Sequence, residues 1–169
     1  GIGSDVEYYK VNYETKWFKD IFEDYILTLG ADIGYGDAYG DTTELPFFEN
    51  FYVGGPRSIR GYKENTIGPR DSTGRPLGGS TKIVGNAEVI LPFPFLRDFK
   101  QARVTGFIDA GNVYGPDEDI EFDDIRYSSG LSAIWISPFG AISASYAVPF
   151  ATKSTDQEQN FQFTFGTSF

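Results

Sequence analysis

The stretch Phe161-Gln162-Phe163-Thr164-Phe165-Gly166-Thr167-Ser168-Phe169, at the end of the chain, carries the clearest pattern in the sequence. Aromatic residues fall at alternate positions, with Thr167 as the one departure. Because successive side chains of a β-strand point to opposite faces, this alternation predicts a strand with an aromatic face and a polar face. A plain edge strand would show the same pattern, so the stretch alone defines local structure and not function.

Six further segments have the same two-residue period. They cover residues 8–17, 25–36, 82–91, 102–113, 127–136 and 140–149. The segment 127–136 is the least regular, because Ile134 and Ile136 share a face with Ser132. Helical periodicity is nearly absent, and the chain is rich in aromatic residues and glycine, which are typical of strands and reversals. The pattern predicts an all-β protein with seven strands in an antiparallel meander.

The predicted connections differ greatly in length. They cover residues 18–24, 37–81, 92–101, 114–126, 137–140 and 151–159. Short turns at one end and long loops at the other are typical of a transmembrane β-barrel. No segment has the roughly 18 to 20 apolar residues that a spanning helix needs. We therefore expect residues 1–169 to be a single, truncated barrel domain with a long extracellular loop at about 37–81, although an odd number of strands leaves its closure open.

A soluble β-sandwich or a lipocalin-like barrel is the alternative interpretation, because it alternates in the same way with its apolar side inward. Periodicity does not decide which face is outside. The polar face carries several charged residues, which a small closed core would not accept: Lys10, Glu14, Asp32, Glu88 and Asp109. The sequence therefore favours lipid outside, and we expect the chain to need outer-membrane lipid or detergent.

The composition excludes several classes of function. The chain has no histidine and no cysteine, so histidine triads, imidazole metal sites and thiolate metal sites are not available to it. A formal charge of -10 argues against nucleic-acid binding through a basic surface. The acidic run 117–124 lacks the ligand spacing of a defined calcium loop, so no metal site is assigned. We expect a protein that is not an enzyme and carries no cofactor.

Four segments, in order along the chain, carry a family resemblance. They read LPFFENFYVGG at 45–55, SIRGY at 58–62, NTIGPR at 65–70 and GFIDAG at 106–111. The first three resemble the sixth extracellular loop of the BamA family of outer-membrane protein assembly factors. The fourth, with the terminal Phe169, resembles later parts of the same barrel. Two-partner secretion transporters share an Arg-Gly-aromatic motif, so a translocation pore of that type or a passive outer-membrane channel stays open as an alternative.

The resemblance implies both a fold and a function. The family barrel has sixteen strands, of which this chain matches the last seven, without the periplasmic domains and the earlier strands. The resemblance implies an insertase in the bacterial outer membrane that folds and inserts β-barrel proteins without ATP. Its partners would be lipid, assembly-machine lipoproteins and unfolded outer-membrane proteins. Because insertion in the family uses the missing parts, we expect residues 1–169 not to insert substrates by themselves.

Arg60 lies in the long loop, and its role is predicted from the strands that follow. Glu88 and Asp109 both fall on the polar face of their strands, where two carboxylates repel each other. If the loop folds back into the barrel, a guanidinium bridges them with directional hydrogen bonds better than lysine would. The resemblance implies the same docking, with a predicted set of Ile59, Arg60, Gly61, Tyr62, Glu88, Phe107, Asp109 and Gly111.

The C-terminal stretch also resembles the β-signal by which outer-membrane proteins are recognised. Strand addition at an open edge is one way in which such a signal is read. In the family this strand forms one side of a lateral gate. The resemblance therefore implies a lateral seam, and Gly166 would weaken pairing there because it has no side chain. The predicted seam residues are Phe161, Phe163, Phe165, Gly166 and Phe169.

Overall fold

The computed structural model describes residues 6–22, 24–91 and 101–166, which form nine β-strands. The strands are β1 Tyr8–Phe22, β2 Tyr25–Ala38, β3 Gly61–Tyr62, β4 Thr81–Leu91, β5 Ala102–Tyr114, β6 Arg126–Ser137, β7 Gly140–Pro149, β8 Glu158–Gln159 and β9 Phe161–Gly166. Seven of them form one antiparallel sheet in the order β1-β2-β4-β5-β6-β7-β9, and β3 pairs with β8. Within those residues, no helix is long and apolar enough to cross a membrane. The prediction of an all-β antiparallel meander is confirmed.

The observed strands differ from the predicted segments at a few places. β1 is longer than its segment, because its pairing with β2 continues from Trp17↔Leu29 to Phe22↔Tyr25. Charged residues interrupt the sequence period there while the backbone ladder goes on. The short strands β3 and β8 lie inside predicted loops, since two residues are too few to show a period. The predicted seam residue Phe169 lies outside the described residues.

The apolar side of the large sheet faces outward. Phe161, Phe163 and Phe165 of β9 are 61%, 60% and 58% exposed. The opposite face, called the inner face below, carries polar side chains such as Asp109 and Ser128, which are fully buried. A lipocalin-like barrel would bury the aromatic side, so that alternative is wrong. An apolar outer surface around a polar interior is the arrangement found in transmembrane β-barrels.

The sheet is open in the part of the chain that the structure describes. β1 and β9 are its two edges, and no ladder joins them there. β1 is exposed along nearly its whole length on both faces. Unpaired backbone groups at such edges are costly in lipid, so each edge is a place where a further strand pairs favourably.

The long connection between β2 and β4, called the folded-back loop (residues 39–80), packs on the inner face. Isolated bridges hold it internally, joining Phe51 to Gly79 and Val53 to Ile67. Its apolar side chains form a buried cluster with two strand residues, Val84 and Val113; the loop members are Phe51, Val53, Ile59, Tyr62 and Ile67. Each fully buried apolar side chain of this size contributes about 1.5–3 kcal/mol. The loop is therefore a packed part of the fold.

Phe51 anchors the loop near β1 and β2. Its ring lies over Gly34 of β2, where an added Cβ would come 2.6 Å from ring carbons. The Nζ atoms of Lys10 and Lys82 lie 4.3 and 5.2 Å from the ring centroid. Lys10 Nζ also donates a hydrogen bond of 2.6 Å to the Glu49 carbonyl. Cations on the inner face thus interact with the loop through both an aromatic ring and a backbone oxygen.

Candidate loop-docking site

The motif Ile59-Arg60-Gly61-Tyr62 lies at the tip of the folded-back loop. A turn positions it: Gly55 donates its backbone N–H to the Ile59 carbonyl over 3.1 Å. Gly61 has a φ of 89°, a left-handed conformation that side chains other than glycine rarely adopt. An added Cβ at Gly61 would also lie 3.0 Å from the Ala147 Cβ of β7. Glycine therefore lets the motif lie directly on the inner face.

Arg60 is held by a two-pronged contact with Asp109 of β5. Arg60 Nε donates to Asp109 Oδ2 and Nη2 donates to Oδ1, each over 2.7 Å. The Arg60 backbone N–H adds a third bond to Oδ2 over 3.0 Å. Asp109 has no solvent exposure and Arg60 only 8%. Parallel charge-assisted bonds of this kind are among the strongest hydrogen bonds in proteins.

Glu88 and Phe107 complete the surroundings of the Arg60 guanidinium. Arg60 Nη2 lies 2.5 Å from Glu88 Oε1 of β4, and Arg60 Cζ lies 3.5 Å from the centroid of the Phe107 ring. The ladder between β4 and β5 pairs Glu88 with Phe107, which explains their proximity. Both carboxylates expected from the strand pattern, and the aromatic ring implied by the family resemblance, therefore contact this one arginine. The role of these contacts in function stays a prediction.

The electrostatics of this site keep Arg60 cationic. Burial by itself lowers the pKa of Arg60, because a buried charge loses hydration. The hydrogen bonds and negative charges of Asp109 and Glu88 outweigh burial, and the pKa of Arg60 is raised. The guanidinium is thus held in its charged form, and what it provides is a fixed contact.

Ile59 and Gly111 form an apolar contact beside the charged one. An added Cβ at Gly111 of β5 would lie 3.0 Å from the Ile59 Cδ1 atom and 2.4 Å from the Ile83 carbonyl oxygen. Ile59 itself has no solvent exposure. Gly111 therefore leaves the space that the motif isoleucine fills.

Asn86 of β4 also belongs to the site, beyond the residues predicted from the sequence. Its Nδ2 atom donates to the Ser58 carbonyl and to Asp109 Oδ1, each over 2.9 Å. Asn86 lies opposite Asp109 in the ladder between β4 and β5. Asn86 lies on the polar face two residues before Glu88, and this position could have indicated that it belongs to the site.

Tyr62 joins the motif to β6 and to the connection between β7 and β9. Its hydroxyl lies within hydrogen-bonding distance of the Tyr127 and Ala151 carbonyls, at 3.1 and 3.3 Å, and shares its one proton between them. Burial raises the pKa of Tyr62, and the negative charge of Asp156 raises it further, so the phenol stays neutral well beyond its ordinary range. The backbone of Tyr62 pairs with Glu158 in the ladder between β3 and β8.

Gln162 of β9 was also missed. Its Nε2 atom donates to the Tyr62 carbonyl over 2.7 Å, and its Oε1 atom accepts from the Gly61 N–H over 3.3 Å. The predicted seam residues around it do not join this site: Phe161, Phe163 and Phe165 point outward, and Gly166 pairs with Ala141 of β7. The strand pattern placed Gln162 on the polar face but did not single it out.

A second arginine cluster lies beside the motif. Arg126 of β6 donates through Nε and Nη2 to the two Asp156 carboxylate oxygens, each over 3.0 Å. Its Nη1 atom donates to Asn112 Oδ1 and to the Asp124 carbonyl, each over 2.9 Å. The Arg126 and Asp156 side chains are 6% and 2% exposed. This buried pair holds the connection between β7 and β9, to which β8 belongs.

Comparison with known proteins places this arrangement in a family. The model of the Omp85 superfamily domain matches residues 1–169. The chain belongs to the Omp85 superfamily. This membership confirms the resemblance predicted from the motif segments, and it agrees with the outward apolar face.

Curated Omp85 relatives match nearly the whole chain. The outer membrane protein assembly factor BamA of Neisseria meningitidis is 35% identical over 99% of this chain and 24% of its own length. BamA of Nitratidesulfovibrio vulgaris is 32% identical over 99% of this chain and 21% of its own length. A SAM50-like protein of Drosophila melanogaster is 28% identical over 100% of this chain and 38% of its own length. The chain thus spans about a quarter of the length of the two BamA relatives.

A solved Omp85 structure has the same fold. BamA of Haemophilus ducreyi lacking POTRA domains 1–3 superposes with a TM-score of 0.87 and 26% identity, covering 99% of this chain and 36% of that chain. The strand order and the folded-back loop described above therefore belong to a known barrel architecture. Within residues 6–22, 24–91 and 101–166, no group of three or more His, Cys, Asp or Glu residues is arranged to hold a metal ion.

Proposed function

We propose that this chain is the C-terminal barrel part of an outer-membrane insertase, which folds and inserts β-barrel proteins without ATP. The match to BamA assembly factors over 99% of the chain is the observation that carries the proposal. The loop docked across the inner face supports it. Its location would be the bacterial outer membrane, in contact with lipid.

The edge of β9 offers a physical route for insertion. Among the described residues β9 pairs only with β7 in the large sheet, and backbone groups on its other side would form a template for an incoming strand, as in other cases of strand addition. A nascent barrel lowers its free energy when its backbone groups pair and its apolar face enters lipid. Folding itself therefore supplies the driving force, and no step in this scheme requires nucleotide hydrolysis.

The docked loop has a structural role in this scheme. Arg60 contacts β4 and β5, whereas Gly61 and Tyr62 contact β9. The loop thereby fixes the relative positions of strands that an insertase must keep in shape while its edge is in use. The partners would be unfolded outer-membrane proteins and the lipoproteins of the assembly machine.

A reconstitution experiment tests the proposal. A urea-unfolded outer-membrane β-barrel protein is added, without nucleotide, to liposomes that hold the complete protein, residues 1–169 alone, or no protein. The folded fraction is followed by heat-modifiable gel migration. We expect the complete protein to accelerate folding and residues 1–169 to match empty liposomes. Equal rates in all three, together with a steady single-channel conductance, would favour a passive channel.

A further inference from the structure

Gln162 links two parts of the molecule that the proposed function uses separately, the docked motif and the edge strand. We infer that Gln162 couples docking of the folded-back loop to the pairing of β9 with β7. The inference rests on the proposed function only in assigning that coupling to the edge where substrate strands would pair. Gln162 is a positioning residue, because it acts through the backbone of Gly61 and Tyr62.

The Gln162 side chain meets the motif as a peptide group of a neighbouring strand would. One amide donates to the Tyr62 carbonyl over 2.7 Å and accepts from the Gly61 N–H over 3.3 Å. Gln162 is 4% exposed. If the loop left, both amide atoms would lose the two partners that fix the position of the side chain. The observed position of Gln162 is therefore stabilised by the docked loop.

A second connection reinforces this one. β3, which is part of the motif, pairs with β8, and only Asn160 separates β8 from β9. The Asn160 side chain donates to the Ala147 carbonyl of β7 over 2.9 Å, and the Asn160 carbonyl accepts from the Ala147 N–H over 2.8 Å. The motif thus contacts the start of β9 through both a backbone ladder and a side chain.

β9 is the strand on which such coupling has the largest effect. Its ladder with β7 joins residues 161–166 to residues 141–146, and among the described residues it is the shortest ladder of the large sheet. A short ladder contributes fewer backbone hydrogen bonds, so its local opening costs less free energy than that of a long ladder. Contacts from the loop therefore form a larger share of what holds β9 in place.

Thr164 supplies a matched control on the same strand and the same face. Its hydroxyl bonds the Ser143 hydroxyl of β7 over 2.7 Å. Replacing Thr164 with valine removes a bond between β9 and β7 without touching the motif. Replacing Gln162 with alanine removes the bonds to the motif.

The test is a double-mutant cycle in the complete protein, reconstituted in lipid nanodiscs. Arg60→Ala, Gln162→Ala and their combination are compared by amide hydrogen exchange in the β7–β9 ladder. We expect each single change to speed exchange there by about threefold to tenfold, and the double variant to exchange no faster than the faster single variant. In the control cycle, the fold-changes in exchange rate caused by Arg60→Ala and Thr164→Val should multiply in the double variant.

Two results would overturn the inference: multiplicative effects of Arg60→Ala and Gln162→Ala, or unchanged exchange in Gln162→Ala. If Gln162→Ala does not reconstitute, Gln162→Met replaces it in the same cycle, because methionine has a similar length and lacks both amide atoms. Substrate insertion is not measured in this cycle. A failed insertion assay would therefore count against the proposed function and leave the coupling result unaffected.

Discussion

At the scale of single residues, Arg60 shows how the two cationic side chains differ. Its guanidinium contacts Asp109, Glu88 and the Phe107 ring at the same time. A lysine ammonium is a single point charge and cannot form the parallel bonds to Asp109. The site therefore depends on the shape of the cation as well as on its charge.

Arg60→Lys should weaken the fold measurably. The ammonium keeps the charge but loses the two-pronged bond to a fully buried carboxylate, and we expect a loss of about 2 kcal/mol in the free energy of unfolding. Denaturant unfolding in detergent micelles measures this loss. Arg57→Lys is the matched control, because Arg57 is exposed in the same loop. Its effect should stay within about 0.5 kcal/mol, and an equal effect at both positions would contradict the prediction.

Tyr62→Phe should change how stability depends on pH. The folded pKa of Tyr62 is raised above the ordinary value of 10.0, so its contribution is complete below that pH and is lost as the pH rises further. We expect the native protein to lose more stability than Tyr62→Phe between about pH 8 and about pH 11. Tyr52→Phe, at a 40% exposed loop position, should keep the native profile, and identical profiles for all three proteins would refute the expectation.

The contacts of Arg60 could be predicted from the sequence only in part. The two-residue period placed Glu88 and Asp109 on one face, which led to both carboxylates. Asn86 and Gln162 also fall on that face, but the sequence pattern is the same for a polar residue that contacts a loop and for one that contacts water. Their selection depends on where the loop tip lies, and that position is set by tertiary packing.

At the scale of elements, the connection between β7 and β9 is held by the Arg126–Asp156 pair. This pair is nearly fully buried, and the backbone of the same connection bonds the residue that follows the motif: the Lys63 N–H donates to the Gln157 carbonyl over 2.8 Å. The connection is therefore an ordered part of the docking site.

Asp156→Asn should loosen that connection. Removing one partner of a buried ion pair leaves an uncompensated charge on Arg126 and costs about 3 kcal/mol. We expect faster proteolytic cleavage between Ala151 and Gln157, together with a lower midpoint of thermal unfolding. Asp117→Asn, in an exposed turn, makes the same chemical change as a control. Cleavage at the native rate in Asp156→Asn would show that the pair does not hold the connection.

The elements themselves were predictable to different degrees. The seven long strands follow from an alternation that one exposed apolar face imposes on the sequence. β3 and β8 form because the folded-back loop contacts the connection between β7 and β9. Two-residue strands of this kind are too short to produce a two-residue period in the sequence. β1 extends past its alternating segment because the ladder with β2 continues through charged residues.

At the scale of the whole molecule, the main feature is the outer face of the large sheet, which exposes aromatic side chains. Phe163 lies at the middle of the described part of β9 and is 60% exposed. The closure of the sheet, in contrast, was not predictable, because the period of two encodes faces and says nothing of how β1 and β9 are paired.

Phe163→Arg should disturb insertion into lipid. Arginine on the lipid-facing side of a barrel costs about 2–4 kcal/mol at the bilayer midplane and less near the interfaces. We expect a lower folded yield in liposomes, measured by protease protection. Phe122→Arg carries the same substitution at a 75% exposed loop position and should fold with the native yield. Equal yields for the two variants would place the aromatic face outside the lipid.

The reach of the motif along the chain has a consequence for the order of folding. The contact between Arg60 and Asp109 spans 49 residues of sequence, whereas the contact between Gly61 and Gln162 spans 101. Closing such long loops costs entropy that is recovered only when the distant contact forms. In a chain that folds from β1 onward, Arg60 therefore contacts β5 before Gly61 contacts β9, and the loop tip is only partly docked until β9 has formed. Full docking therefore requires β9 to be in place, and a partner that contacts the loop tip would also detect the presence of β9.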